Sequence, residues 1–139
     1  MALILLPLDR RVPYRGPVHC PVTKESAMYH LSSDMQACIR SCLDCYQHCQ
    51  HTALTTCLEK GGPHVAPDHF RLMIDCAEAC RAAAALMINH SPYHAEFCRL
   101  CAQICRECAA SCEKLDAMEA CVRACRECAQ ACEAVAASV

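Results

Sequence analysis

Seventeen of the 139 residues are cysteine, and most of them recur at steps that keep them on one face of a helix. Cys38, Cys42, Cys45 and Cys49 are spaced by four, three and four residues. Cys98, Cys101, Cys105, Cys108 and Cys112 follow by three, four, three and four, and Cys121, Cys125, Cys128 and Cys132 by four, three and four. A more dilute stripe runs through Met73, Cys76, Cys80, Ala83, Met87 and His90. The residues between the stripes, Arg99, Arg106, Glu107, Glu113, Arg123, Arg126, Glu127 and Glu133, belong in water, so the thiols must face inward. Free cysteine does pack cores. Leu or Ala would pack as well without the risk of oxidation, so unbroken stripes of sulfur point to ligation.

The identity of the metal follows from charge and softness. A four-thiolate zinc site carries about two surplus negative charges, and stacking such sites in a dry core is costly. Iron–sulfur clusters are usually wrapped by loops, which a continuous helix cannot do. Cu(I) is soft and accepts two or three thiolate or thioether ligands. If each thiolate bridges two ions, the stoichiometry approaches about one metal per thiolate, and each ion replaces one proton. The core then stays near neutral whether empty or full. Thiols at i and i+3 or i+4, about 5 to 6 Å apart at Cβ, come within reach of a shared ion by side-chain rotation.

The elements that must carry these stripes are helices. Gly is scarce, Trp is absent, and strand-favouring residues are few. The chain reads as all-α, an antiparallel up-down four-helix bundle preceded by an irregular, proline-rich segment over residues 1–23 that contains Pro7, Pro13, Pro17 and Pro21. The bundle is expected over 24–139. Its first helix is capped by Thr23, runs to Lys60 with a bend or break near Ser32–Ser33, and is stopped by Gly61-Gly62-Pro63. A second is expected from just after Pro67 to about Asn89, a third from Pro92, capped by Ser91, to about Lys114, and a fourth from about Asp116 to Ala137. The unit Cys105-Arg106-Glu107-Cys108-Ala109 recurs as Cys125-Arg126-Glu127-Cys128-Ala129, each followed by a Cys-Glu pair.

Other soft ligands sit near the stripe ends. Met35, Met87, His90 and His94 fall at one end of an antiparallel bundle and are candidates to ring an entrance; Met73, Met118 and His69 make a weaker set at the other. Cys57, eight residues after Cys49, lies nearly a quarter-turn off the stripe, and ligation and a structural role are equally open for it. Cys20 lies in the proline-rich segment. His48, His51 and His64 fall off the stripes and are expected in solvent.

Together these features resemble the bacterial copper storage proteins, in particular their cytosolic branch. The resemblance covers residues 24–137 and rests on the repeated Cys-x3-Cys-x2-Cys-x3-Cys units. It implies a four-helix bundle holding many Cu(I) ions and a homotetrameric assembly. The ligands it implies are Cys38, Cys42, Cys45, Cys49, Cys76, Cys80, Cys98, Cys101, Cys105, Cys108, Cys112, Cys121, Cys125, Cys128 and Cys132.

A formal net charge of −2 argues against nucleic acid or acidic membrane as partner, and the apolar runs are too short to span a bilayer. The apolar start, Met1–Leu8, has no preceding positive charge and is interrupted by Pro7, so the reading expects no export and a cytoplasmic protein with reduced thiols. Copper chaperones or chelators are its expected partners. No nucleophile, base and orienting group stand together, so no catalysis is expected. Two rival readings are a general zinc or cadmium sink and a thiol redox sensor. The sensor fits poorly, because disulfides between i and i+4 strain a helix and a sensor needs few thiols.

Overall fold

The computed structural model describes residues 31–139. The proline-rich segment with Cys20 and Thr23 lies outside the described residues. Ser32 caps the first described helix: its hydroxyl accepts a hydrogen bond from the Met35 N–H at 3.2 Å. Helix α1 (Ser33–Thr52) continues through a π-helical turn, Ala53–Cys57, into a last turn, Leu58–Lys60, with helical dihedrals at both junctions. Gly61 and Gly62, at φ 64° and 53°, end the rod in a conformation that side chains disfavour. A short 3-10 turn, Gly62–Val65, leads to α2 (Pro67–Ile88), which has Pro67 as its first helical residue.

Helices α3 (His94–Cys112) and α4 (Glu119–Ala137) each start later than the sequence suggests. Before α3, Ser91 does act as a cap, but of a turn: its hydroxyl accepts from the Tyr93 N–H at 3.2 Å and its carbonyl from the His94 N–H at 3.2 Å. Pro92 therefore sits in the turn. Before α4, Ala117 adopts a positive φ of 59°, which no helix tolerates, and Asp116 is held in the turn by Lys60 at 2.8 Å.

Each helix packs on two neighbours, α1 on α2 and α4, and α3 on α2 and α4, which closes a square. Residue pairings show the antiparallel order. Cys38 meets Cys132 while Cys49 meets Cys125, and Cys80 meets Cys101 while Met73 meets Cys112. The fold is the expected up-down four-helix bundle, with no strand among the described residues. Alanines 53, 77, 83, 102, 109, 124 and 129 line the helix seams and bring the backbones close, leaving the interior to sulfur.

The repeated unit has a structural counterpart on the outside. Arg106 of the first copy pairs with Glu133 of the second, and Arg126 of the second pairs with Glu113 of the first. The α3–α4 hairpin is thus locally two-fold. Both pairs are exposed, so each stabilises by only about 0–1 kcal/mol and acts mainly on register.

Candidate metal centre

All sixteen described cysteines are free thiols, and every one is fully buried. The stripes on α1, α3 and α4 and the shorter one on α2 meet along one axis. From the end near Ser33, Cys38 lies 3.6 Å from Cys132, Cys42 lies 3.5 Å from Cys132 and 3.6 Å from Cys128, and Cys80 lies 3.5 Å from Cys105 and 3.7 Å from Cys128. Farther along, Cys49 lies 3.5 Å from Cys125 and 3.9 Å from Cys76, and Cys76 lies 3.7 Å from Cys105. These are weak S–H···S contacts, and they link all four helices.

Sets of sulfurs within 4.8 Å of one another are Cys42-Cys101-Cys128-Cys132, Cys80-Cys101-Cys105-Cys128, Cys45-Cys76-Cys80-Cys105, Cys45-Cys49-Cys76-Cys125 and Cys38-Cys98-Cys132. Cys101, Cys128, Cys132, Cys80, Cys105, Cys45 and Cys76 each belong to two of these sets. At most two of the four-thiol sets can be filled at once without sharing a sulfur. Independent tetrahedral ions would therefore leave several thiols unused, whereas bridging ions use them all. The 4.8 Å spread also suits an ion between two sulfurs, about 4.5 Å apart at twice a metal–thiolate bond of about 2.3 Å.

Proton affinity in this network is shared. Cys49 is held low, to about 2, by thiol donors Cys108, Cys121 and Cys125, while Cys108 is pushed far up by its contacts with Cys112, Cys125, Cys49 and Cys76. One thiolate among many thiols is stabilised by their S–H groups, and each further charge meets like charge and a dry surrounding. Univalent metal, which takes a proton's place, is what lets the whole column ionise.

Cys57 departs from the sequence expectation. It is fully buried, and its sulfur lies 3.9 Å from Met118 Sδ. The π-helical turn takes up one residue without advancing the face, so the eight residues after Cys49 behave as seven and return Cys57 to the stripe. Thr55, whose hydroxyl donates to the His51 carbonyl at 2.7 Å, sits within that turn. Burial pushes the Cys57 thiol up, with a smaller contribution from Cys112.

His64 also departs from expectation. It is buried, with Nε2 3.0 Å from the Asp116 carbonyl and 3.4 Å from its carboxylate. His48 is half-buried with Nδ1 against the Asp44 carbonyl, and His51 is exposed. At the Ser33 end, Met87 is fully buried, Met35 and His94 are half-buried and His90 is exposed. His94 Nδ1 is turned back onto the Ser91 carbonyl at 2.7 Å. At the other end the thioethers join the sulfur network outright: Met73 Sδ lies 3.3 Å from Cys112 and 3.6 Å from Cys108. Thioethers in register with a thiol stripe were the available signal for this.

Residues 31–137 match the family described as Csp, copper storage protein. The chain belongs to the copper storage protein family. Among solved structures it is similar to the Nmul_A1745 protein of Nitrosospira multiformis, 46% identical with a TM-score of 0.77 over 78% of this chain and all of that one. It is also similar to the Cu(I)-bound copper storage protein BsCsp3, 39% identical with a TM-score of 0.68 over 74% of this chain and 98% of that one. A cysteine-rich protein of Bacillus subtilis (strain 168), YhjQ, is 40% identical over 81 residues, 58% of this chain and 74% of the relative. Membership of this family accords with the buried, overlapping thiol sets, which a disulfide-built or loop-wrapped site would lack.

Proposed function

We propose that this chain stores Cu(I), bound as a chain of bridged ions by Cys38, Cys42, Cys45, Cys49, Cys57, Cys76, Cys80, Cys98, Cys101, Cys105, Cys108, Cys112, Cys121, Cys125, Cys128 and Cys132. One observation carries the reading: the buried four-thiol sets share members, so the sulfurs form one column. Neighbouring ions then share thiolates, and capacity approaches about one ion per thiol. Met35, Met87, His90 and His94 stand as outlying soft ligands at the Ser33 end.

The chemistry fits a reducing compartment, because buried free thiols facing one another across helices at 3.5–3.9 Å would oxidise to inter-helix disulfides elsewhere. The cytoplasm is therefore the proposed location, with the copper exchanged with soluble chelators or chaperones. No helix among the described residues is long and apolar enough to cross a membrane. Assembly into a homotetramer is proposed on the family resemblance, and no catalytic step belongs to this role.

Anaerobic titration of the reduced, metal-free protein with Cu(I) and separately with Zn(II) tests the reading. Cu(I) should bind at about one ion per thiol. Zinc should stop at about two ions per chain, the number of four-thiolate sites that fit without sharing. Equal, low stoichiometry for both metals would sink the storage reading in favour of separate tetrahedral sites.

A further inference from the structure

Twelve of the buried cysteines belong to the tight sets, and the other four, Cys57, Cys108, Cys112 and Cys121, cluster at the end of the bundle near Lys60 and Met118. This end differs chemically from the rest of the column. Thioethers are interleaved with its thiols: Met118 against Cys57 at 3.9 Å, Met73 against Cys112 at 3.3 Å and against Cys108 at 3.6 Å. Cys108 in turn is in contact with Cys49, Cys76 and Cys125 of the main column. A continuous path of sulfur therefore leads from this end into the core.

The path reaches the surface. A cavity of about 410 Å³ opens between the end of α3 and the start of α4, and Cys112 and Met118 form part of its wall although they are 0% and 1% exposed. The cavities beside Tyr46 and Leu54, and beside Lys60 and His64, have no sulfur in their walls. Around the first cavity stand Glu113, Glu119 and Glu127 against Arg123 and Arg126, and the Arg126–Glu113 pair ties its two walls together. The surplus carboxylate favours approach of a univalent cation.

A second observation comes from His69, one helical turn before Met73 on the same face of α2. Its Nδ1 lies 2.8 Å from the hydroxyl of Ser111, the neighbour of Cys112, and its Nε2 is buried without a hydrogen-bond partner among the described residues. His69 is 7% exposed. A buried imidazole nitrogen left without a partner is costly unless something else claims it, and a soft cation does so.

We propose that Cu(I) enters the column through this side cleft, landing first on Met118 in its wall, with the neutral donors Met73 and His69 at the same end of the bundle holding it before it passes to Cys112 and Cys108. The inference rests on the copper-storage reading and adds the route. Thioether and neutral imidazole accept Cu(I) without releasing a proton, so an ion can dwell beside the thiols before any of them ionises. Landing breaks the bonds to the incoming carrier; transfer then breaks those to the neutral donors, forms a Cys112 S–Cu bond and releases the Cys112 proton. That proton leaves through the cleft, where carboxylates and water accept it. Copper stays univalent throughout.

The test is anaerobic stopped-flow uptake by the full, reduced chain from the coloured Cu(I)–bicinchoninate complex, with final capacity measured in the same samples. Met118→Leu and Met73→Leu keep the side-chain volume and remove the sulfur. The initial rate should fall about ten-fold in the double variant while most of the capacity is kept. A parent protein that takes up no copper overturns the storage reading together with the route. A parent that fills, with the double variant filling at the parent's rate, overturns the route alone, as would slowing caused by Met87→Leu with His94→Ala instead. Independently of any variant, a limiting amount of iodoacetamide should label Cys112 ahead of Cys38 and Cys98 in the metal-free protein. The reverse order overturns the proposal.

Discussion

Met73 Sδ lies 3.3 Å from Cys112 Sγ, closer than the 3.5 Å of the shortest thiol–thiol contacts described along the column. Met73 is fully buried on the inward face of α2, where that helix has fewer cysteines than its neighbours. The thioether fills the width that a cysteine would leave empty and keeps a sulfur in place. Two substitutions separate these roles. Met73→Leu preserves volume and should cost less than about 1.5 kcal/mol of metal-free stability. Met73→Ala opens a cavity and should cost about 2–5 kcal/mol, measured by urea unfolding under reducing conditions. Equal costs would mean that this end is too loosely packed to register the missing volume.

Sharing of thiols gives the individual cysteines unequal weight in copper capacity. Cys128 belongs to two four-thiol sets, and its sulfur lies 3.6 Å from Cys42 and 3.7 Å from Cys80. Cys57 belongs to none and touches a thioether. Cys128→Ala should remove up to about two Cu(I) ions per chain, and Cys57→Ala about one at most. Anaerobic titration with a competing Cu(I) chelator reads both. Identical losses would mean that the ions are not bridged through Cys128.

Acid should weaken the metal-free bundle through His69. Burial, and then the nearby His64, hold its imidazole below the ordinary value of 6.5. Above 6.5 the folded and unfolded chains both carry a neutral imidazole, and no penalty arises. As pH falls below 6.5 the unfolded chain takes up a proton that the folded one resists, so stability declines. Asp116, held below its ordinary 3.8 chiefly by its bond to Lys60, adds its own loss only at pH values below that figure. Urea midpoints should therefore fall between pH 7 and pH 5, and the decline should flatten in His69→Asn. An unchanged slope in the variant would assign the decline to another group.

Much of this architecture is legible in the sequence because one spacing serves both fold and chemistry. The steps from Cys98 to Cys112 point to a helix, its buried face and its candidate ligands together, since all five thiols of α3 are buried. The helix starts are harder to read. Ser91-Pro92 is a good opening on local grounds, yet the Ser91 hydroxyl and carbonyl are used to close a turn that delays α3 to His94. Asp116 resembles an early helical residue, but its partners Lys60 and His64 come from a connection remote in sequence. Sequence spacing puts His64 in solvent for the same reason: its burial depends on a loop about fifty residues away, which no periodicity encodes.

The register of Cys57 rests on a local backbone device, and that device can be removed. In an uninterrupted α-helix, eight residues from Cys49 carry Cys57 about 80° around the rod, at about 100° per residue, whereas seven would leave it about 20° short of the starting face. The π-helical turn Ala53–Cys57 absorbs the difference. Deleting Thr55 should therefore convert the turn to regular α-helix, leave Cys57 facing the column and remove the Thr55–His51 hydrogen bond, with the bundle still folded. Inserting one alanine at the same place should instead turn Cys57 and Leu58 by about 100° and expose the thiol. Alkylation of the metal-free proteins under native conditions reads the outcome: Cys57 should stay protected in the deletion variant and react in the insertion variant. Rapid labelling of Cys57 after the deletion would show that the π-turn does not set this register.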